Sequence, residues 1–272
     1  MSKNNVKPFR FESFGARIEI TGNRQDMIDR SAAIAGSSLL GKITEITEIT
    51  DNDVDRTIQV NFDGTTYEMI YPGSEPARGE DEVVFFKYVD SIIRASVGEE
   101  ARDFVFLHAG VVGWKGKAIV LPGDSYKGKS TLVAELVRAG AEYYSDDFAL
   151  FNSAGLLYPF HRHLAMRRRD NFDPYQITVE ELEGKYGHKP IPAGLVLFTE
   201  YVKGSRFRPQ RMTAGEGVLE LVQYALSMRQ RSEFAFRVLN NIASRAIIIS
   251  SRRGTAETFA KTLLNFVDNH GN

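Results

Sequence analysis

The sequence predicts a mixed α/β protein made of a small α+β domain over residues 1–100 and an α/β domain over residues 101–272. Short segments in which apolar and polar residues alternate, as they do in half-buried strands, characterise the first hundred residues. From about Asp103 onward, apolar runs typical of buried strands alternate with amphipathic helical segments. That order predicts an α/β core with crossover connections.

The elements of the first domain follow from alternation and turn chemistry. Strands are predicted over residues 17–21, 57–62 and 66–71, and the Asp63-Gly64 pair between the last two predicts a β-hairpin. A helix is predicted over residues 81–97, with Val84, Tyr88, Ile92 and Ala95 on its buried face. This part shows no catalytic constellation, so its role is left open.

The second domain begins with two apolar runs. They predict strands over residues 104–107 and 117–121, joined by a hairpin turn at residues 114–116. A helix over residues 129–138 is followed by two short strands, residues 142–145 and 148–151. The remaining elements are predicted in the order strand, helix, strand and helix, within residues 194–202, 214–227, 246–250 and 255–267. The polar segment over residues 167–192 is predicted to be a mobile excursion near the site.

Charge and composition exclude several classes of protein. Lys and Arg number 34 against 35 Asp and Glu, whereas nucleic-acid and anionic-membrane binders normally carry a basic excess. The chain has no cysteine, which excludes disulfide frameworks, zinc–thiolate sites and cysteine nucleophiles. The N-terminal segment lacks the apolar run of a secretory signal, and no run approaches the roughly 20 residues of a membrane span. We therefore expect a cytoplasmic protein with neither nucleic-acid nor membrane partners.

Residues 123–130 match the phosphate-binding pattern G-x-x-x-x-G-K-[ST], known as Walker A. An apolar strand leads into the match and an amphipathic helix leads out, as the motif requires. Glycines let backbone N–H groups curl round phosphate oxygens, and the helix N-terminus adds positive potential. Lys129 is expected to bridge the β- and γ-phosphates, and Ser130 to ligate Mg²⁺. The predicted nucleotide-binding residues are Gly123, Asp124, Ser125, Tyr126, Lys127, Gly128, Lys129, Ser130 and Thr131.

Two acidic residues, Asp146 and Asp147, follow the loop helix by one short strand, where P-loop proteins commonly place a second Mg²⁺ ligand. Adjacent carboxylates at a strand end point to different sides, so one can hold metal while the other faces an acceptor hydroxyl as a base. His108 ends the strand upstream of the loop strand, and adjacent strands would place it beside the aspartates. There it could orient a carboxylate or share its proton. A solvated acidic turn and a structural histidine are the alternatives.

The order of His108, the loop at residues 123–130 and Asp146-Asp147 resembles the catalytic domain of bacterial HPr kinase/phosphorylase. Residues 107–151 look closer still to HPr-kinase-related proteins of peptide-modification gene clusters, including lasso-peptide precursor kinases. The resemblance implies a P-loop kinase core similar to the HPr kinase C-terminal domain and to phosphoenolpyruvate carboxykinase. It further implies ATP with Mg²⁺ and phosphorylation of a serine hydroxyl in a polypeptide.

The same resemblance implies roles for individual residues. Asp146 would be the catalytic base assisted by His108, while Asp147 and Ser130 would hold the metal. Two departures from the family pattern stand out. Tyr126 occupies a position where the family usually has a second loop glycine, and the chain lacks a counterpart of the glycine-rich segment associated with phosphorolysis. HPr as the substrate and the reverse reaction are therefore not predicted.

A basic cluster follows the aspartates at residues 161–163 and 167–169. Arg162 and Arg167 are its candidates for contact with the phosphoryl group or an acidic acceptor, and a solvated surface run is the alternative. No third ligand accompanies His161 and His163, so a metal site is not predicted there. Arg252-Arg253, between the last strand and the last helix, are predicted to be structural, and a contact with a nucleotide base is the alternative.

Together these features predict an ATP- and Mg-dependent kinase that phosphorylates a serine of a protein or peptide. A small-molecule kinase on the same fold and a nucleotide-binding regulatory ATPase or switch are the alternatives. The sequence carries neither the N-K-x-D guanine motif of GTPases nor the L-S-G-G-Q motif of ABC ATPases. Whether the chain forms a homo-oligomer is left open.

Overall fold

The computed structural model describes residues 6–47, 53–124, 127–167 and 174–270. The chain separates into two compact units, Met1–Asp103 and Phe104–Asn272. The phosphate-binding motif, the aspartate pair and the basic cluster all belong to the second unit.

The first unit is a six-stranded sheet with two helices, and its strands lie in the order β3-β1-β2-β4-β5-β6. Its pairings are antiparallel except for the parallel pair β2 and β4. The strands predicted over residues 17–21, 57–62 and 66–71 are confirmed as β2, β4 and β5. The elements are β1 (Phe9–Ser13), β2 (Ala16–Gly22), α1 (Gln25–Ser38), β3 (Thr44–Glu45), β4 (Arg56–Phe62), β5 (Tyr67–Ile70), β6 (Ala77–Gly79) and α2 (Glu82–Glu100).

Helix α2 begins where the sequence predicts, because the Asp81 carboxylate caps it by accepting a 2.9 Å hydrogen bond from the Val84 N–H. Its buried face differs by one position from the prediction. Phe85, Val89 and Ile93 are buried, whereas Val84 and Tyr88 are exposed. The aromatic side chain of Phe85 buries more apolar area than Val84 can, and this sets the rotation of the helix.

The second unit is built on a mixed sheet in which β8 lies between β7, its antiparallel neighbour, and β15, its parallel neighbour. Strand β17 extends the sheet beyond β15, and β9 and β10 pair with the other edge of β7. The strands are β7 (Phe104–Trp114), β8 (Lys117–Pro122), β9 (Glu142–Ser145), β10 (Phe148–Asn152), β11 (Leu156–Tyr158), β12 (Leu164–Arg167), β13 (Pro174–Ile177), β14 (Lys185–Tyr186), β15 (Ile191–Tyr201), β16 (Gln210–Arg211) and β17 (Ile247–Arg253). The helices are α3 (Lys129–Arg138), α4 (Ala214–Val222), α5 (Ser232–Ala243) and α6 (Ala256–His270).

Helices cover both faces of this sheet, as expected for a sheet whose central strands are mostly apolar. Side chains of α3 and α6 pack on one face with Val112 and Leu195, and side chains of α4 and α5 pack on the other with Val111 and Val196. The predicted hairpin turn between β7 and β8 is confirmed. Lys115 and Gly116 have φ values of 50° and 77°, which form the tight turn that matches strand twist.

The helix predicted over residues 214–227 is wrong beyond Val222, where α4 ends. The next residues pair with the backbone of β7 instead. The Tyr224 carbonyl accepts a 2.8 Å hydrogen bond from the His108 N–H, and Ala225 forms a β-bridge with Leu107. Satisfying backbone groups of a buried strand outweighs one more helical turn. Residues 226–228 form a short 3₁₀ turn.

In the polar segment over residues 167–192, residues 168–173 lie outside the described part of the chain, and the remainder is more regular than predicted. Strands β12 and β13 pair with each other, and β14 pairs in parallel with β9 at the edge of the main sheet. Val179 and Leu182, near a short 3₁₀ turn, are buried against the α3 side of the core. Hydrophobic anchors within a mostly polar segment therefore hold this part of it against the domain.

Candidate active site

The phosphate-binding motif occupies the connection between β8 and α3, so the strand–loop–helix arrangement is confirmed. Gly128 begins the helix with a φ of 74°, a left-handed conformation that glycine adopts without strain. A Cβ at this position would also lie 2.6 Å from Nη2 of Arg253. Ser125 and Tyr126 lie outside the described residues.

On one side of β7, the beginning of the loop lies against His108. Ala109 pairs with Pro122 at the end of β8, and the His108 carbonyl accepts a hydrogen bond from the Gly123 N–H at 3.3 Å. The ring of His108 is half-buried, with its centroid 5.8 Å from that of Phe148. The strand bearing His108 is therefore the direct neighbour of the loop.

On the other side of β7 lie the two aspartates. Strands β9 and β10 both run antiparallel to β7, so Asp146 and Asp147 interrupt what is otherwise one long strand, opposite Ala109 and Gly110. The Ala109 N–H donates to the Asp147 carbonyl at 3.2 Å. The Ser145 hydroxyl accepts from the N–H groups of Asp147 at 3.3 Å and Phe148 at 3.2 Å, which defines the turn.

Gly110 shows which face of β7 carries the site. A Cβ on Gly110 would lie 3.8 Å from the Cβ of Lys129, 4.0 Å from the Cα of Asp146 and 2.7 Å from a methyl group of Val133. Only glycine allows the loop helix to approach so closely. Side chains two positions apart in a strand share a face. The His108 side chain therefore lies on the same face of β7 as Lys129 and Asp146.

Asp146 is buried in a network of polar groups. Its Oδ2 accepts a 3.0 Å hydrogen bond from the Ala165 N–H, and the Tyr143 hydroxyl lies 3.5 Å from Oδ1. Burial and the neighbouring Asp147 carboxylate raise the pKa of Asp146 to about 6, whereas hydrogen bonds from Ala165 and from the Ser130 hydroxyl lower this pKa. The Ser130 hydroxyl, expected to ligate Mg²⁺, therefore contacts Asp146.

Lys129 lies in a half-buried position at the first turn of α3. Its Nζ donates a 2.7 Å hydrogen bond to the Asp124 carbonyl within the loop. Burial lowers the pKa of Lys129, and the carboxylates of Asp147, Asp124 and Asp146 oppose that shift. The three carboxylates therefore favour the charged form of the ammonium group.

Arg162, from the basic cluster, interacts with Asp146. Its positive charge lowers the pKa of Asp146, and its backbone carbonyl accepts a 2.5 Å hydrogen bond from the Tyr143 hydroxyl. Arg167 ends β12, but its side chain and residues 168–169 lie outside the described part of the structure. Lys127 and Asp124 form an exposed ion pair at 3.4 Å. Of the two predicted arginines, Arg162 is the one whose charge reaches Asp146 in the described part of the structure.

Arg253, for which the sequence favours a structural role, lies against the loop. It ends β17 and is only 3% exposed, and its Nη2 donates to the carbonyls of Lys127 at 3.2 Å and Gly128 at 3.0 Å. Burial lowers the pKa of the Arg253 guanidinium. These hydrogen bonds fix the carbonyl groups at the end of the loop. One feature of the sequence could have indicated this position. Arg253 is a charged residue at the C-terminal end of a buried strand, and α/β proteins bind ligands at that edge of the sheet.

The groups near the loop fit the predicted magnesium ion. Mg²⁺ prefers oxygen ligands and is commonly held by one or two carboxylates together with substrate phosphates and water. The Ser130 hydroxyl and the carboxylates of Asp146 and Asp147 supply oxygens of this kind at the beginning of α3. Among the described residues, no set of three or more acidic or histidine side chains converges as a metal site.

Replacement of Asp146 by asparagine is expected to stabilise the metal-free protein by roughly 3 kcal/mol at pH 7.5. A folded-state pKa of about 6, above the ordinary value of 3.8, means that the ionised carboxylate is disfavoured in the folded state. This cost grows as the pH rises from about 4 to 6 and is absent below that window. Asparagine keeps the acceptor for the Ala165 N–H without the charge. Urea unfolding in EDTA at pH 7.5 and pH 4.5 measures the gain, which should shrink at the lower pH; an equal gain at both would contradict this explanation.

Comparison with solved structures finds similarity to the HPr(Ser) kinase/phosphatase from Coxiella burnetii. The two chains are 14% identical, and the alignment covers 61% of this chain and 95% of that chain with a TM-score of 0.33. No protein-family model matches the chain, and no curated protein matches it. A similarity at this level carries no argument about function, so the functional proposal depends on the site itself.

No helix within the described ranges combines the length and the apolar character needed to cross a membrane.

Proposed function

We propose that this chain is an ATP- and Mg-dependent kinase with a P-loop core of the HPr-kinase type, and that it transfers the γ-phosphoryl group to a serine hydroxyl of a protein or peptide. One observation carries the proposal. The loop with Lys129 and the pair Asp146-Asp147 flank the same two residues of β7, Ala109 and Gly110. An anion-binding loop and a buried carboxylate on adjacent strands are what phosphoryl transfer to a hydroxyl needs.

The proposed chemistry divides among these residues. Asp146 takes the proton of the acceptor hydroxyl as its oxygen attacks the γ-phosphorus, and the bond between that phosphorus and the bridging oxygen of ADP breaks. Lys129 and the loop N–H groups balance the charge that develops on the phosphate oxygens. His108, on the same face of β7, is a positioning residue for the carboxylates.

Ser130 and the aspartates would hold Mg²⁺, which when bound neutralises phosphate charge. We assign Asp147 as the carboxylate ligand that accompanies Ser130 and keep Asp146 as the base. The hydrogen bond from Ser130 to Asp146 makes the opposite assignment the alternative to be tested. The two assignments predict different Mg²⁺ requirements for the Asp147→Asn and Asp146→Asn variants.

The acceptor class can be tested by following ADP release from ATP and Mg²⁺ in the presence of separated host lysate fractions. Stimulation by the macromolecular fraction is the expected result. Stimulation by the low-molecular-weight fraction alone would instead establish a small-molecule kinase. Equal, slow release with either fraction would contradict the kinase proposal and favour a regulatory ATPase. Lys129→Met serves as the blank for contaminating ATPases.

A further inference from the structure

A cavity of about 440 Å³ opens beside the phosphate-binding loop, at the C-terminal ends of β15 and β17 and the beginning of α6. Gly128 and Thr131 line it on the loop side, and Tyr201, Arg253 and Ala256 line it on the sheet and α6 side. Its volume falls in the range of ordinary small-molecule sites. The predicted phosphate site and this cavity therefore share a wall.

Tyr201 gives the cavity an aromatic surface. It is 47% exposed, although it sits directly beside Arg253 in the register of β15 and β17. The guanidinium carbon of Arg253 lies over the ring, 5.6 Å from its centroid. A tyrosine ring supported by a buried cation and left open to solvent is a platform on which a flat aromatic base can stack.

The charge of Arg253 indicates that an anion belongs nearby. Among the residues that the structure describes, its hydrogen-bonded partners are backbone carbonyls and no carboxylate forms an ion pair with it. Its Nε is buried without a partner. A buried charge that lacks an opposite charge is costly, and a phosphate on the adjacent loop would offset that cost.

The position of the cavity fits one end of an elongated ligand. It touches the loop at Gly128 and Thr131, whereas His108, Asp146 and Asp147 are not part of its wall. A ligand whose terminal phosphate lies at the aspartates would therefore extend its other end along the loop towards Tyr201.

We propose that this cavity binds the nucleoside of the phosphoryl donor, with its base stacked on Tyr201 and its phosphates on the part of the loop that Arg253 supports. The inference rests on the proposed function, because it assigns the remaining part of the same donor. A larger cavity of about 940 Å³ borders the loop at Gly123, on the side of α4. Its aromatic rings, Phe198 and Tyr224, stack on each other with centroids 6.4 Å apart, and both are partly buried, whereas Tyr201 is exposed.

The test compares the binding of ATP and of inorganic tripolyphosphate to the full chain by titration calorimetry with Mg²⁺. Tyr201→Ala removes the ring, Tyr201→Phe retains it, and Tyr224→Ala is the matched tyrosine from the larger cavity. We expect Tyr201→Ala to weaken ATP binding by about tenfold, the loss of one stacked base. Tyr201→Phe should restore the affinity, and Tyr224→Ala should leave it unchanged. Tripolyphosphate, which has no base, should bind all variants alike. Thermal unfolding confirms that each variant is folded.

Four outcomes would overturn the proposal. Unchanged ATP affinity in Tyr201→Ala would remove the nucleoside from this cavity while leaving the kinase proposal intact. A larger loss in Tyr224→Ala than in Tyr201→Ala would place the nucleoside in the larger cavity. Equal losses for ATP and tripolyphosphate in Tyr201→Ala would show damage to the loop instead of a missing stack. Failure of the wild type to bind either compound would overturn the proposed function itself, and the nucleoside site with it.

Discussion

Replacement of Asp146 by asparagine should lower phosphoryl transfer by about a thousandfold, the usual contribution of a general base. The amide keeps the shape of the side chain and the acceptor for the Ala165 N–H, but it cannot take the proton of the acceptor hydroxyl. ATP binding should survive because the loop and Lys129 are untouched. The rate is measured in a single turnover at saturating ATP, and affinity is measured separately by calorimetry.

The matched variant is Asp147→Asn, one residue along the same turn. If Asp147 is the metal ligand, the asparagine in its place should raise the Mg²⁺ concentration needed for the half-maximal rate. Added Mg²⁺ should then recover part of the activity. Asp146→Asn should not respond to added Mg²⁺. The reverse pattern would make Asp146 the metal ligand and Asp147 the base. The contact between Ser130 and Asp146 would agree with that assignment. Full activity in both variants would contradict the assignment of this turn as catalytic.

The second large effect is expected for Lys129→Met. Methionine keeps most of the side-chain length and apolar packing but removes the charge that meets the β- and γ-phosphates. We expect transfer to fall by about a thousandfold, the scale seen when one preorganised charge-stabilising donor is lost. ATP affinity should fall as well, because this cation contacts the ground state too.

The same measurements on Lys261→Met, an exposed lysine of α6, control for a general loss of positive charge. Lys129→Arg keeps a charge but not the compact ammonium that donates to the Asp124 carbonyl, so it should recover affinity better than rate. Transfer by Lys129→Met at the wild-type rate would mean that the loop does not serve phosphoryl transfer.

Much of the loop could be predicted because its signals are local. The glycines of the motif, the lysine that follows Gly128 and the apolar strand before the loop are all visible in the sequence of residues 117–138. The structure shows α3 over the residues that the sequence predicted. The sequence also predicts that His108 lies on a strand next to the aspartates, and β7 is indeed the neighbour of their turn. The predicted strand end at His108 is wrong, because β7 continues to Trp114.

Features that depend on contacts between distant parts of the chain could not be predicted from the sequence. The sequence does not show that β9 and β10 form one interrupted strand along β7, because that depends on pairing across the sheet. Helix α1 escaped prediction because Ser, Asp and Gly weaken its helical pattern and packing on the sheet stabilises it. Arg253 was interpreted as structural because the Lys127 and Gly128 carbonyls that it holds are over a hundred positions away in the chain.

Transfer of label from γ-labelled ATP with Mg²⁺ into polypeptides of the host lysate tests the central claim most directly. We predict an acid-stable labelled polypeptide, with the label on serine, that appears with wild type and not with Asp146→Asn or Lys129→Met. Binding of ATP without transfer to any polypeptide would contradict the protein-kinase account.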